Sequence, residues 1–148
     1  MPVTDEQVAW LRTCLAGETE LARQTYGQLA GAENAAGLGA LVFAAFVIAA
    51  QQEFTANGTR ADLIKFIAQT RQLLGVRSDV FHPLIAENQL RRALGEQIAD
   101  SQDIRASARA QLILLNSLVM SADLDDDAVF RLLIRARRMA NRILDNAV

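Results

Sequence analysis

The sequence predicts an all-α fold, a compact bundle of about six or seven helices around one central apolar helix at residues 35–54. Three observations carry this prediction. Apolar residues recur at three- and four-residue intervals, the repeat of a helix face. Two-residue alternation, the mark of a half-buried strand, is nearly absent, and aromatic residues make up only 5% of the chain. Helix-start and helix-stop residues bracket most of the periodic stretches.

The first helix is predicted at Asp5–Leu15. Thr4 and Gln7 have capping-box spacing, and Val3 and Val8 the spacing of a hydrophobic staple. Val8, Leu11 and Leu15 form its apolar stripe, and Gly17 stops it. A second helix, about Glu18–Leu29, has sparser apolar positions and carries Gly27 in its interior. The third, Ala35–Phe54, is apolar all round, as a central helix must be. Its small residues Ala36, Ala40 and Ala44, with Gly37 and Gly39, suit close approach of a neighbouring helix.

Asn57-Gly58 breaks the chain, and Thr59 then caps a fourth helix whose Asp62 favours the positive helix end. Leu63, Ile67 and Leu74 point inward, opposite a polar stripe of Asp62, Lys65, Gln69 and Gln72, and Gly75 closes the helix. The fifth begins at Pro83, whose fixed φ suits the first helical position, and ends near Leu94. Glu87 and Arg91 stand at i,i+4, the spacing of an ion pair. The sixth runs over Asp103–Ser121 with Ile104, Ala108, Leu112, Leu115 and Val119 inward, and Ile113, Leu114, Leu118 and Met120 widening that face. The seventh, Asp126–Asn146, is capped by Asp125 and stapled by Leu124 and Val129.

At 148 residues and 51% hydrophobic, the chain is expected to form a single domain able to bury a core unaided. Residues 1–31 are candidates for helices that pack peripherally on a core formed by residues 35–148 or serve a partner. The net charge is -2, which argues against nucleic acid as the main partner. Lys65 is the only lysine among the basic residues, a bias that points to a GC-rich coding genome. A single cysteine, Cys14, precludes an internal disulfide, and the acidic, polar start Met1–Trp10 is unlike a secretory leader, so the expected location is cytoplasmic. The most apolar run, Ala35–Ala50, would span about 24 Å as a helix, against about 30 Å for a bilayer core. A buried helix is the expectation there, and no membrane segment.

Chemistry-bearing residues are few and isolated. His82 is the only histidine and has no nucleophile or orienting acid assigned to it. Cys14 sits near a helix C-terminus, where the dipole opposes a thiolate. One His and one Cys cannot build a structural zinc or iron–sulfur site within the chain. The acidic run Asp123 to Asp127 lacks the glycine and glutamate of a calcium loop, since Ala128 and Ile134 occupy those positions. It reads better as charge complementing a helix N-terminus. No phosphate loop or dinucleotide fingerprint is present, so no cofactor and no enzymatic activity are expected. Asn57-Gly58-Thr59 matches a glycosylation acceptor, but Thr59 is better explained as a cap.

The most suggestive set is Arg131, Arg135, Arg138 and Arg142. Steps of four, three and four place them on one face of the last helix, with Arg137 off that line. Such a ridge fits an acidic protein partner or, with less support, a phosphate backbone. It also fits a solvated or salt-bridged outer face. Asn116 and Ser117 interrupt the sixth helix and could orient a small ligand or bond a neighbouring helix. The leading expectation is therefore a non-enzymatic interaction module: an adaptor, regulator or assembly protein. A small-molecule sensor and a nucleic-acid binder using the last helix are the alternatives, and a second copy of the chain is a further candidate partner.

Overall fold

The computed structural model describes residues 2–29, 31–54, 59–75, 80–99 and 103–147; the expected break at Asn57-Gly58 lies outside them. Among the described residues the chain forms seven helices and no strand. They are α1 Asp5–Leu15, α2 Thr19–Leu29, α3 Ala32–Glu53, α4 Arg60–Leu74, α5 Pro83–Ala93, α6 Ile104–Ser121 and α7 Asp126–Asn146. Contacts gather into two compact units. The first comprises Met1–Ala45 and Asp123–Val148, and the second Phe46–Ala122, so α3 contributes to both. Leu41, Ala44, Ala45, Phe46 and Ala50 of α3 are wholly enclosed, which makes it the central helix.

In the first unit, α1 starts as its sequence dictates. Thr4 Oγ1 accepts from the Gln7 backbone N–H at 3.2 Å, and Gln7 Oε1 accepts from the Thr4 N–H at 3.0 Å. The buried face differs from the expected stripe: Gln7, Trp10 and Leu11 are buried, while Val8 and Leu15 are half-exposed. The cause is Gln7, whose Nε2 donates to Asn34 Oδ1 at 3.1 Å and turns that face of α1 toward α3. Gly37 makes the approach feasible. A Cβ there would lie 2.7 Å from Gln7 Oε1, so only glycine fits without displacing the amide. Gly39 is exposed with nothing near its missing Cβ, so the expected packing role holds for Gly37 and fails for Gly39. Ala36 is likewise exposed, so the alanine row is not one packed seam.

The α1–α2 turn uses Gly17 at φ +78°, a left-handed conformation that favours glycine. The α2 helix buries Ala22 and Leu29, leaves Leu21 and Tyr26 half-exposed, and brings the Tyr26 ring within 5.6 Å of Trp10.

The α7 helix is capped by Asp125, whose carboxylate accepts from the Ala128 N–H at 2.8 Å. It buries Val129, Leu132, Leu133, Ala136 and Ala140 along one stripe. Burying a leucine such as Leu133 contributes roughly 1.5–3 kcal/mol relative to leaving it in water. Near its C-terminus α7 holds the start of the chain. Asn141 Oδ1 accepts from the Val3 N–H at 2.8 Å, and Arg137 Nη2 donates to the Val3 carbonyl at 2.9 Å. Both backbone polar groups of the buried Val3 are thereby satisfied.

In the second unit, Thr59 and Asp62 form a full reciprocal capping box at the start of α4. Leu63, Phe66, Ile67 and Thr70 are buried, whereas Leu74 is half-buried. Phe66 meets Phe54 edge-on at 5.5 Å. Gln51 Nε2 donates at 3.1 Å to the carbonyl of Ala93 at the end of α5, where the carbonyls of Leu90, Arg91 and Arg92 accept from the backbone of Leu94, Gly95 and Glu96. The expected Glu87–Arg91 pair does not form. Glu87 instead takes Arg60 of α4 at 2.7 Å, and Arg91 takes Glu96 at 3.0 Å and 3.2 Å. The Glu87 side chain is only 8% exposed, so a guanidinium reaching over from α4 serves it better than one along its own helix.

The α6 helix is capped by Asp103, which accepts from the Ala106 N–H at 2.9 Å. Its inner face is Ala110, Leu114, Leu115, Ser117, Leu118 and Val119. Of the expected inward line, Leu115 and Val119 are buried, Leu112 is half-buried, and Ala108 and Ile104 are exposed, Ile104 to 79%. Burial concentrates in the C-terminal half, where apolar residues are densest, and the first turns are covered only in part. Met120 also faces water. Thr70 and Ser117 meet hydroxyl to hydroxyl at 2.7 Å, joining α4 to α6 inside the unit.

Candidate functional site

The outer face of α7 carries the residues singled out from sequence. Arg131, Arg135, Arg138 and Arg142 are all exposed. Among the described residues none of the four makes an ion pair or hydrogen bond. Their backbone positions follow one another along the helix at rises of about 6, 4.5 and 6 Å. Arg137, off that line, is the α7 arginine with internal partners: Asp5 Oδ1 at 2.6 Å and the Val3 carbonyl. The helix thus divides its arginines by face, one used in packing and four presented to solvent. Beside the ridge, Phe130 and Ile134 are 52% and 38% exposed, one turn apart. The surface is a row of planar cations edged by an aromatic ring and an aliphatic side chain.

The acidic run before the ridge has the structural role its sequence suggested. Asp125 caps α7, and Asp126 and Asp127 occupy the first turn, where the helix dipole favours negative charge. Among the described residues no three His, Cys, Asp or Glu side chains gather to hold a metal ion.

The other polar candidates are engaged in the structure or isolated. His82 is exposed and makes no capping bond at the start of α5. Burial pushes the Cys14 thiol up to about 11, away from nucleophilic use at neutral pH. Asn116 Nδ2 donates back to the Leu112 carbonyl at 3.1 Å, and Ser117 is tied to Thr70, so both amide and hydroxyl serve helix packing. In the first unit an open groove of about 650 Å³ runs past Val3, Gln7, Asn34 and Arg137. The polar groups of those four residues bond one another or their neighbours across it. In the second unit a smaller apolar groove of about 260 Å³ lies between Ile64 and Leu84.

Asn34–Glu53 is long and apolar enough to cross a membrane by length and composition, and 61% of its most apolar 18-residue window is buried inside the protein.

Two interactions were invisible to sequence reasoning: the Arg137–Asn141 hold on Val3 and the wedging of Gln7 against Gly37. Asn141 and Val3 stand 138 positions apart, and no local pattern reports such a meeting. The one usable signal was Arg137 itself, an arginine standing off an otherwise regular ridge.

Fold and surface together define a class, an all-helical protein that presents an unpaired arginine row. No protein family, characterised protein or solved structure matches the chain.

Proposed function

We propose that this protein is a non-enzymatic helical interaction module, an adaptor, regulator or assembly protein, that captures an acidic protein partner on the outer face of α7. The observation that carries this reading is the set of four exposed arginines, Arg131, Arg135, Arg138 and Arg142, without partners among the described residues. Like charges one turn apart destabilise a helix by a few tenths of a kcal/mol per pair. The row therefore costs the fold something, and among the described residues no carboxylate closes an ion pair with it. A partner's carboxylates would supply that compensation, because the guanidinium fork accepts them in bidentate geometry and is weakly hydrated. Phe130 and Ile134 add apolar contact area at the same edge. The arginines would set orientation and association rate more than raw affinity. A cytoplasmic setting suits the unpaired Cys14.

The test is the double variant Arg135→Glu, Arg138→Glu. Both side chains are exposed, so the far-ultraviolet circular dichroism and thermal midpoint should stay near wild type, while affinity purification should lose the partners the wild type recovers. Recovery of the same partners in the same yield would remove α7 as the binding face.

A further inference from the structure

We infer that the partner's docking element is an acidic α-helix, laid alongside α7 with carboxylates at the same four-three-four spacing as the arginines. This rests on the reading of α7 as the binding face and adds the shape of what binds there. The argument is one of pitch. The four arginines rise in steps of about 6, 4.5 and 6 Å, about 16.5 Å end to end. A helix bearing carboxylates at i, i+4, i+7 and i+11 repeats those steps, and each pair can close. An extended strand offers side chains on one face only every 6.6–6.8 Å or so, about 20 Å across four positions. Such a strand runs ahead of the row by about 3.5 Å from the first arginine to the last, so it sets fewer carboxylates opposite the arginines than a helix does.

The apolar edge sharpens the match. Phe130 and Ile134 lie on one side of the ridge and are themselves one turn apart. An amphipathic partner helix would meet them with an aliphatic residue on the flank of its acidic face. The occupant is a different chain and not a second copy, because no stretch of this sequence carries four carboxylates at four-three-four spacing.

The test uses the full chain and two labelled synthetic peptides of identical composition. In one, helix-stabilised, glutamates stand at four-three-four spacing beside a leucine; in the other they stand at alternate positions. A DNA duplex serves as a third probe. Fluorescence anisotropy should give the helical peptide at least tenfold tighter binding than its rearranged twin. That advantage should vanish in the Arg135→Glu, Arg138→Glu variant. Equal affinity for the two peptides would overturn the helix inference while leaving partner capture by α7 standing. Tighter binding of the duplex than of either peptide would overturn it too, and would assign the face to phosphates. Loss of the peptide difference without loss of cellular partners in the same variant would instead count against α7 as the binding face.

Discussion

Gly37 and Gly39 lie two residues apart on α3, yet the same substitution should act on them in opposite directions. Replacing a helix-interior glycine with alanine gains about 0.8–1 kcal/mol in backbone propensity. At Gly39, exposed and with open space where the Cβ would go, that gain should appear almost undiminished. At Gly37 the new methyl would sit 2.7 Å and 2.8 Å from the two amide atoms of Gln7. Gln7 is buried and held at both ends, by the Thr4 N–H at 3.0 Å and by Asn34 at 3.1 Å. Moving it breaks both bonds, at about 0.5–1.5 kcal/mol each, and leaves a buried amide short of partners, at about 1–3 kcal/mol. Net of the propensity gain, Gly37→Ala should destabilise by about 1–5 kcal/mol, and the two variants should differ by about 2–6 kcal/mol. Urea titrations followed by fluorescence of Trp10, the only tryptophan, report on the unit concerned. If the Gly37 variant proves as stable as the Gly39 variant, the wedge is not what constrains this position. In a Gln7→Ala background the penalty at Gly37 should disappear.

Other expectations follow from single contacts. Thr70→Val removes the partner of the buried Ser117 hydroxyl and should cost about 1–3 kcal/mol in thermal or urea unfolding. The double change Thr70→Val, Ser117→Ala should cost less than the sum of its parts, because no orphaned hydroxyl remains. With its thiol at about 11, Cys14 should react slowly with Ellman's reagent in the folded protein at pH 8, where roughly one molecule in a thousand carries the thiolate. The rate should rise about tenfold per pH unit above that, and fast labelling at pH 8 would contradict the burial. The Asp62 carboxyl is held below its usual range by the Thr59 backbone and side chain. A depressed folded value means stability that is present at neutral pH and lost as pH falls below about 4, through the folded value. The difference in thermal midpoint between wild type and Asp62→Asn should therefore shrink on acidification, and a gap unchanged down to pH 2 would refute the assignment.

What could be read in the sequence was what is decided locally. Thr4 with Gln7, Thr59 with Asp62 and Asp125 before α7 each satisfy backbone groups within one turn, so residue type and spacing suffice. The α7 ridge was legible for the same reason, since helical winding alone fixes which arginines share a face. The absence of carboxylate partners for it among the described residues was not, because that depends on what packs nearby. The same dependence explains the misread elements. Arg60 competes for Glu87 from another helix, and Gln7 is pulled inward by Asn34. On α6 an apolar residue such as Ile104, 79% exposed, stays in water because among the described residues nothing covers its side of the first turn. Each of these outcomes is set by a residue far away in the chain, and periodicity carries no record of it.

The grip of Asn141 and Arg137 on Val3 bears on the order in which the molecule assembles. The first unit draws on both ends of the chain, whereas Phe46–Ala122 is one uninterrupted stretch. During synthesis that stretch can collapse as soon as it emerges, but the residues around Val3 must wait for Asn141, made 138 positions later. Contacts of such long sequence separation are slow to close. Pulsed hydrogen exchange during refolding should therefore protect amides around Leu63–Ile67 before those around Trp10 and Leu11, and the reverse order would show that the outer pieces find each other first.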